Sequence, residues 1–319
     1  MAESVAASRV APHAKPHTGP LTNGAVQIAL VVAMGGVWGA AFPANRYAMT
    51  HGLPPLGYTF WVFVVAVAVG GAVCAACGVR PLLTRWYVVF TLFTGVLRCA
   101  VPVTMIAISM QHLSAGLMVM ISSTSGIVIY GGAIALRRER FHWVRFLGVL
   151  CGLAGVACIL VPQSSLPDPD ALAWVAFAFG VPVLFALTTL AVDYKRPPDT
   201  PTLVLTAGMF AWAAIALLPL ALITDSFYVP NWPVQLVDGT MLLHGLINGI
   251  AFIGLFELIR IAGVVIASQT TYVTPLAGVA WGVVLLDERH SGWIWLALAL
   301  IVGGLFLVNL IRRAAAPPR

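Results

Sequence analysis

The sequence predicts an all-α integral membrane protein of ten transmembrane helices, built as two inverted five-helix repeats. Three observations carry this reading. Of 319 residues 60% are hydrophobic and 9% charged, with a mean hydropathy of +0.96, whereas a soluble domain needs about 25% charged residues to cover its surface. The apolar residues fall into ten runs of roughly the 20 residues that a bilayer-spanning helix requires. The second half also repeats features of the first at one constant spacing.

Taken in order, residues 1–24 hold Pro12, Pro16 and Pro20 and no apolar core. They read as a disordered cytoplasmic tail, not a cleaved signal peptide. Five runs follow at 25–45, 57–77, 86–108, 113–136 and 143–161, giving a first repeat over 25–161. Five more at 171–192, 202–223, 238–258, 262–286 and 292–311 give a second repeat over 171–311, and 312–319 form a second cytoplasmic tail. The connections are short, the longest being "TDSFYVPNWPVQLVDG" at 224–239, and none holds a soluble domain.

Orientation follows from the basic residues, which collect in cytoplasmic loops. Fourteen of the 17 Lys and Arg fall on one side: Arg9, Lys15, Arg80, Arg85, Arg137, Arg138, Arg140, Arg145, Lys195, Arg196, Arg260, Arg312, Arg313 and Arg319. The other side has Arg46 and Arg289, and Arg98 lies inside a run. Both termini are therefore expected in the cytoplasm, in a multi-pass protein of the inner or plasma membrane. The net charge of +6 is scattered through loops and forms no basic stripe, so nucleic acid is excluded as a partner. All five cysteines sit in apolar runs. The Cys74–Cys77 CxxC has no second CxxC or histidine pair beside it, so no metal is implied.

The repeat is seen in "RRERFHWVRFLGVLCGLAGVACILV" from Arg137 and "LDERHSGWIWLALALIVGGLFLVN" from Leu286. Aligning Glu139 with Glu288 sets an offset of 149, at which Arg46 meets Lys195, Pro81 meets Pro230 and Gly155 meets Gly304. Five spans per half is an odd number, so the second copy enters the membrane the opposite way up. Secondary transporters are built in this way, with the substrate between the halves near the midplane.

"GGVWGAAFPANRYAM", with the paired "GAIALRRERFHWVRFLG" and "PLAGVAWGVVLLDERHSGWIWL", resembles the two repeats of the EamA-like family of the drug/metabolite transporter superfamily. The resemblance covers about 25–311. It implies a ten-helix carrier, many relatives being exporters of amino acids or other metabolites, and a helix break in the fourth span of each half. Pro275 in "TTYVTPLAG" matches that break, while the aligned residue in "ISSTSGIVIYGG" is Gly126, where Ser122, Ser123, Thr124 and Ser125 offer hydroxyls to freed backbone groups.

Polar residues within spans are the candidate substrate-binding groups, because hydrocarbon offers them no partner. Arg98 leads, in "FTGVLRCAVPVTMIAISM": its charge is permanent, its position mid-span, and no acidic residue lies deep in any span. A cavity-lining guanidinium would hold a carboxylate or phosphate in forked geometry, and a structural or gating role is the alternative. Asn248 aligns with Cys99, next to Arg98, and His244 is the histidine able to carry a proton. Both residue types also serve simply as interhelical hydrogen-bonding groups. Gln269, Thr271 and Tyr272 precede Pro275 where that helix would bend. Trp38 and Tyr130 offer stacking surfaces, although Trp also anchors span ends at the interface. Glu139 and Glu288 read as structural caps or loop ion pairs, and Glu257 pairs with Arg260. Three GxxxG pairs, Gly35/Gly39, Gly148/Gly152 and Gly245/Gly249, mark close helix packing.

No P-loop, HExxH, GxSxG or metal-holding aspartate pair occurs, so no catalytic residue and no cofactor is implied, and the chain reads as a non-enzyme. The expected function is a secondary transporter, exporting a small metabolite such as an amino acid by alternating access. Its partners are a small-molecule substrate and the lipid bilayer, with a homodimer left open. The alternatives are a membrane scaffold or channel component and, at greater distance, a lipid-modifying membrane enzyme.

Overall fold

The structure is a computed structural model that describes residues 24–79, 84–137, 141–160, 171–195, 197 and 200–310. Both tails and Glu139 lie outside the described residues. Within them the chain is all-helical. Seven helices are long and apolar enough to cross a membrane: α1 Ala25–Thr50, α2 Pro55–Ala76, α3 Arg85–Ser109, α4 Ala115–Ala135, α6 Leu172–Ala191, α7 Thr202–Ile223 and α8 Leu236–Gly263. Three shorter apolar helices complete the set: α5 Trp143–Cys158, α9 Thr270–Leu286 and α10 Gly292–Val308.

Local chemistry sets the ends. Pro55 opens α2 at the first helical position, where its missing N–H costs nothing. Thr84 and Ser114 cap α3 and α4, their hydroxyls accepting from the amides of Tyr87 and Leu117, each at 3.2 Å. The run expected from 262 joins the helix before it instead. Helical bonding continues to Ala267, and the chain bends at Gly263, whose φ of 82° and ψ of 164° suit only glycine.

Several helices are broken inside. In α4 the helix interrupts at Thr124, between Ala115–Ser123 and Ser125–Ala135. The break thus lies two residues before Gly126, and the hydroxyls of Ser122, Ser123 and Thr124 donate to the carbonyls of Met118, Val119 and Ile121. In α9, Pro275 is accommodated within a continuous helix. A six-residue π-helical segment, Gly95–Ala100, lies within α3 and carries Arg98. Pro102 explains it. With no N–H, Pro102 cannot serve the Arg98 carbonyl four residues back, so the ladder shifts, and Val101 N–H reaches Val96 O instead.

The helices pack as α5 on α10, α2 on α7 and α8, α9 on α1 and α4, α4 on α6, and α3 on α7 and α6. Small residues permit the closest of these. A Cβ on Gly148 would stand 2.6 Å from the Gly304 carbonyl, and one on Gly39 would stand 2.8 Å from the Gly278 amide. Large apolar side chains such as Ile28, Leu147, Leu153, Ile215 and Leu222 face outward, and exposed Trp86, Trp143, Trp232, Trp293 and Trp295 stand near helix ends as interface anchors do.

The main apolar core packs one end of the bundle and extends along α4 and α10 to Ile127 and Leu305. At that end Leu53, Met110, Leu113, Leu117 and Met118 are packed against Val279 and Ile294, all at 4% exposure or less. The 224–235 loop closes over this end. Trp61 donates to the Tyr228 carbonyl at 2.7 Å, and the buried Asp238 accepts from the Tyr228 hydroxyl at 2.6 Å and the Gln235 amide at 2.9 Å. Burial, and then the bond to Asp238, push the Tyr228 phenol up to about 12.

Candidate functional site

Below that core lies a cavity of about 320 Å³, near the lower limit of ordinary ligand pockets. It is walled by α1, α2, α3, α4, α6, α7, α8 and α9. Six large aromatic side chains line it: Trp38, Phe42, Phe63, Phe185, Phe210 and Phe252. Trp38 leans on Phe252 with ring centres 5.1 Å apart.

The π-helical segment of α3 brings Arg98 to this wall. One guanidinium nitrogen, Nη1, donates to Thr189 Oγ1 at 2.9 Å, and the Thr189 hydroxyl donates in turn to the Phe185 carbonyl at 2.6 Å. The guanidinium carbon stands 5.9 Å from the centre of the Phe185 ring, a cation–π contact. Both restraints come from α6, and among the described residues no carboxylate pairs with it. A planar cation is thus held in place with most of its donors free.

Across the cavity α8 contributes His244 and Asn248, both buried. His244 Nδ1 is 2.9 Å from the Tyr58 hydroxyl, which anchors the ring from α2. Thr271 also lines the cavity. Arg98, Asn248, His244, Trp38 and Thr271 are therefore brought together. Tyr130, Gln269 and Tyr272 stand outside. The Tyr130 hydroxyl accepts from the His142 amide at 3.3 Å under the Arg145 guanidinium. Tyr272 turns to α10, donating to the Leu305 carbonyl at 3.3 Å, because neighbours on a helix point about 100° apart. Gln269 sits in the turn before α9.

Sequence reasoning passed over Thr189 and Asn45. Asn45 lines the cavity from α1 at 0% exposure, with neither Oδ1 nor Nδ2 hydrogen-bonded. Its neighbour Arg46 turns away, donating to the Met110 carbonyl.

Glu288 lies apart from the cavity, in the turn between α9 and α10. Its carboxylate accepts from the Ala115 and Gly116 amides at 2.6 and 3.1 Å, and His290 Nε2 is 3.3 Å away. It thus satisfies free N–H groups at the start of α4, where the helix dipole favours an anion. Burial alone would raise its pKa, but the close His290 ring and the hydrogen bonds from the two amides outweigh that and hold it below the ordinary carboxylate value. Glu257 pairs with Arg260 on an exposed face.

No curated protein is similar to the chain. A solved crystal structure aligns with 91% of it and 99% of its own length, with a TM-score of 0.63 at 22% identity, a likeness of fold alone. The sequence profile of the EamA-like transporter family matches twice, over residues 25–161 and again over 172–310. With both matches together spanning most of its length, the chain belongs to the EamA-like transporter family.

Proposed function

We propose that the protein is a secondary carrier that exports a small organic anion, a carboxylate-bearing metabolite of amino-acid size, by alternating access. Arg98 carries this reading. It is a permanent cation in an aromatic cavity, tethered by Thr189 and Phe185 and facing no described carboxylate. A carboxylate arriving there would accept two parallel N–H bonds, stronger than neutral ones. Asn248, His244 and Thr271 line the same space.

The halves, 25–161 and 171–311, are two inverted five-helix repeats in this reading. The packing supports it: moving every helix number by five turns the α1–α9 contact into α6–α4 and α2–α8 into α7–α3, while α5–α10, α2–α7 and α4–α9 map onto themselves. The cavity lies where these halves meet, both termini face the cytoplasm, and the membrane is the cell's inner or plasma membrane.

Flux of radiolabelled carboxylates through proteoliposomes tests the site. Arg98→Ala should reduce carboxylate transport at least about 100-fold, the scale of a lost charged hydrogen bond of about 3 kcal/mol. Arg98→Lys keeps charge without the fork and should fall between. Normal transport by a folded, inserted Arg98→Ala protein refutes the assignment.

A further inference from the structure

An amide buried without hydrogen bonds is costly, because both its donor and its acceptor have been stripped of water. Asn45 is such a group. It is 0% exposed, it lines the cavity, and both polar atoms of its side chain lack a partner among the described residues. Much of the surrounding hydroxyl wall is committed elsewhere. The hydroxyls of Ser122, Ser123, Thr189 and Thr274 each donate to a carbonyl of their own helix, and that of Thr270 donates to the Ala267 carbonyl of the preceding one. The neighbouring Arg46 is committed to Met110.

Asn45 also stands far from the cation. It sits within two turns of the α1 terminus at Thr50, at the end closed by the apolar core. Arg46 reaches the Met110 carbonyl, which places this part of α1 level with the last turn of α3, 12 residues beyond Arg98. At 1.5 Å per residue, less the reach of the arginine side chains, Arg98 and Asn45 are separated by on the order of 10 Å along the bundle. Phe42 and Phe63 line the same cavity.

Resting on the carboxylate reading of Arg98, we infer that Asn45 is a second polar anchor that sets specificity. The transported molecule then has an anionic group at one end, an apolar or aromatic body, and at the far end a neutral group such as a hydroxyl or carboxamide. That group both donates to Asn45 Oδ1 and accepts from Nδ2. A substrate lacking it leaves the buried amide unpaired, the circumstance in which binding sites discriminate most strongly.

The test uses the full-length protein purified in detergent and two probes that differ by one hydroxyl, 3-(4-hydroxyphenyl)propionate and 3-phenylpropionate. Affinities are read from ligand-induced thermal shifts. The wild type should bind the hydroxylated probe at least about tenfold more tightly. Asn45→Leu should erase that ratio by weakening the hydroxylated probe alone, while the ligand-free Tm stays level or rises, because an unpaired amide has been replaced by apolar volume. A merely structural asparagine would lose Tm and leave the ratio untouched. Asn45→Ala serves the same comparison if the leucine variant does not fold. Equal binding of the two probes by the wild type, with Arg98→Gln abolishing both, overturns the role of Asn45 and leaves the carboxylate reading standing. A preference that survives Asn45→Leu also overturns it. Failure of the wild type to bind either probe overturns both.

Discussion

Arg98 was legible in the sequence because a guanidinium stays charged at any pH and lies in the middle of an apolar run. What holds it was not legible. Thr189 is one of many span threonines, and in helices these commonly bond their own backbone, as Thr188 and Thr206 do here. Removing its oxygen tests its role as a positioning group. Thr189→Val should raise KM for a carboxylate about tenfold, the equivalent of about 1.4 kcal/mol, with kcat changed less. Thr189→Ser should restore the wild-type value in the same flux assay. Asn45 escaped notice for a different reason. It precedes Arg46 near a span's end, where polar residues are ordinary, and membrane helices that are apolar all round show no polar face to fix their phase.

At the scale of elements, seven of the ten runs meet a helix long enough to cross a membrane and three meet shorter apolar helices among the described residues, the seventh coinciding with Thr202–Ile223. The ninth was placed too early because Gly263 interrupts an apolar stretch by backbone conformation alone. The π-helical segment was foreshadowed by Pro102 four residues after Arg98, a signal visible in "LRCAVP". Pro102→Ala supplies the missing N–H, so α3 can return to regular α-helix, turning Arg98 from its present direction. Transport should fall at least about fivefold while Tm holds or rises, because a proline within a helix costs about 3 kcal/mol.

Glu288 acts on another element, the start of α4. Its folded-state pKa lies below the unfolded value, so its stabilisation is complete at neutral pH and is lost as pH falls through the folded value. Thermal unfolding should show Tm falling as pH drops below the ordinary glutamate value. Glu288→Gln should lower Tm at pH 7 by the effect of about 1 kcal/mol and flatten that acid limb. A variant with an unchanged acid limb would place the titration elsewhere.

For the whole molecule, membership of the family was legible because its motifs are continuous stretches of sequence, within α1 and around the turns that precede α5 and α10. The cavity was not, since it arises from eight helices meeting. The proposed topology makes a direct prediction: reporters inserted after Arg196 should be active as cytoplasmic fusions, and reporters within 163–170 as extracytoplasmic ones. The opposite pattern at 163–170 would invert the arrangement. The apolar core around Met110, Leu113 and Leu117, each fully buried, has a further consequence. Such dry packing beside the cavity disfavours a continuous aqueous path, because an ion entering it would lose its hydration without replacement. Planar bilayers containing the protein should therefore show no unitary current steps at any applied voltage.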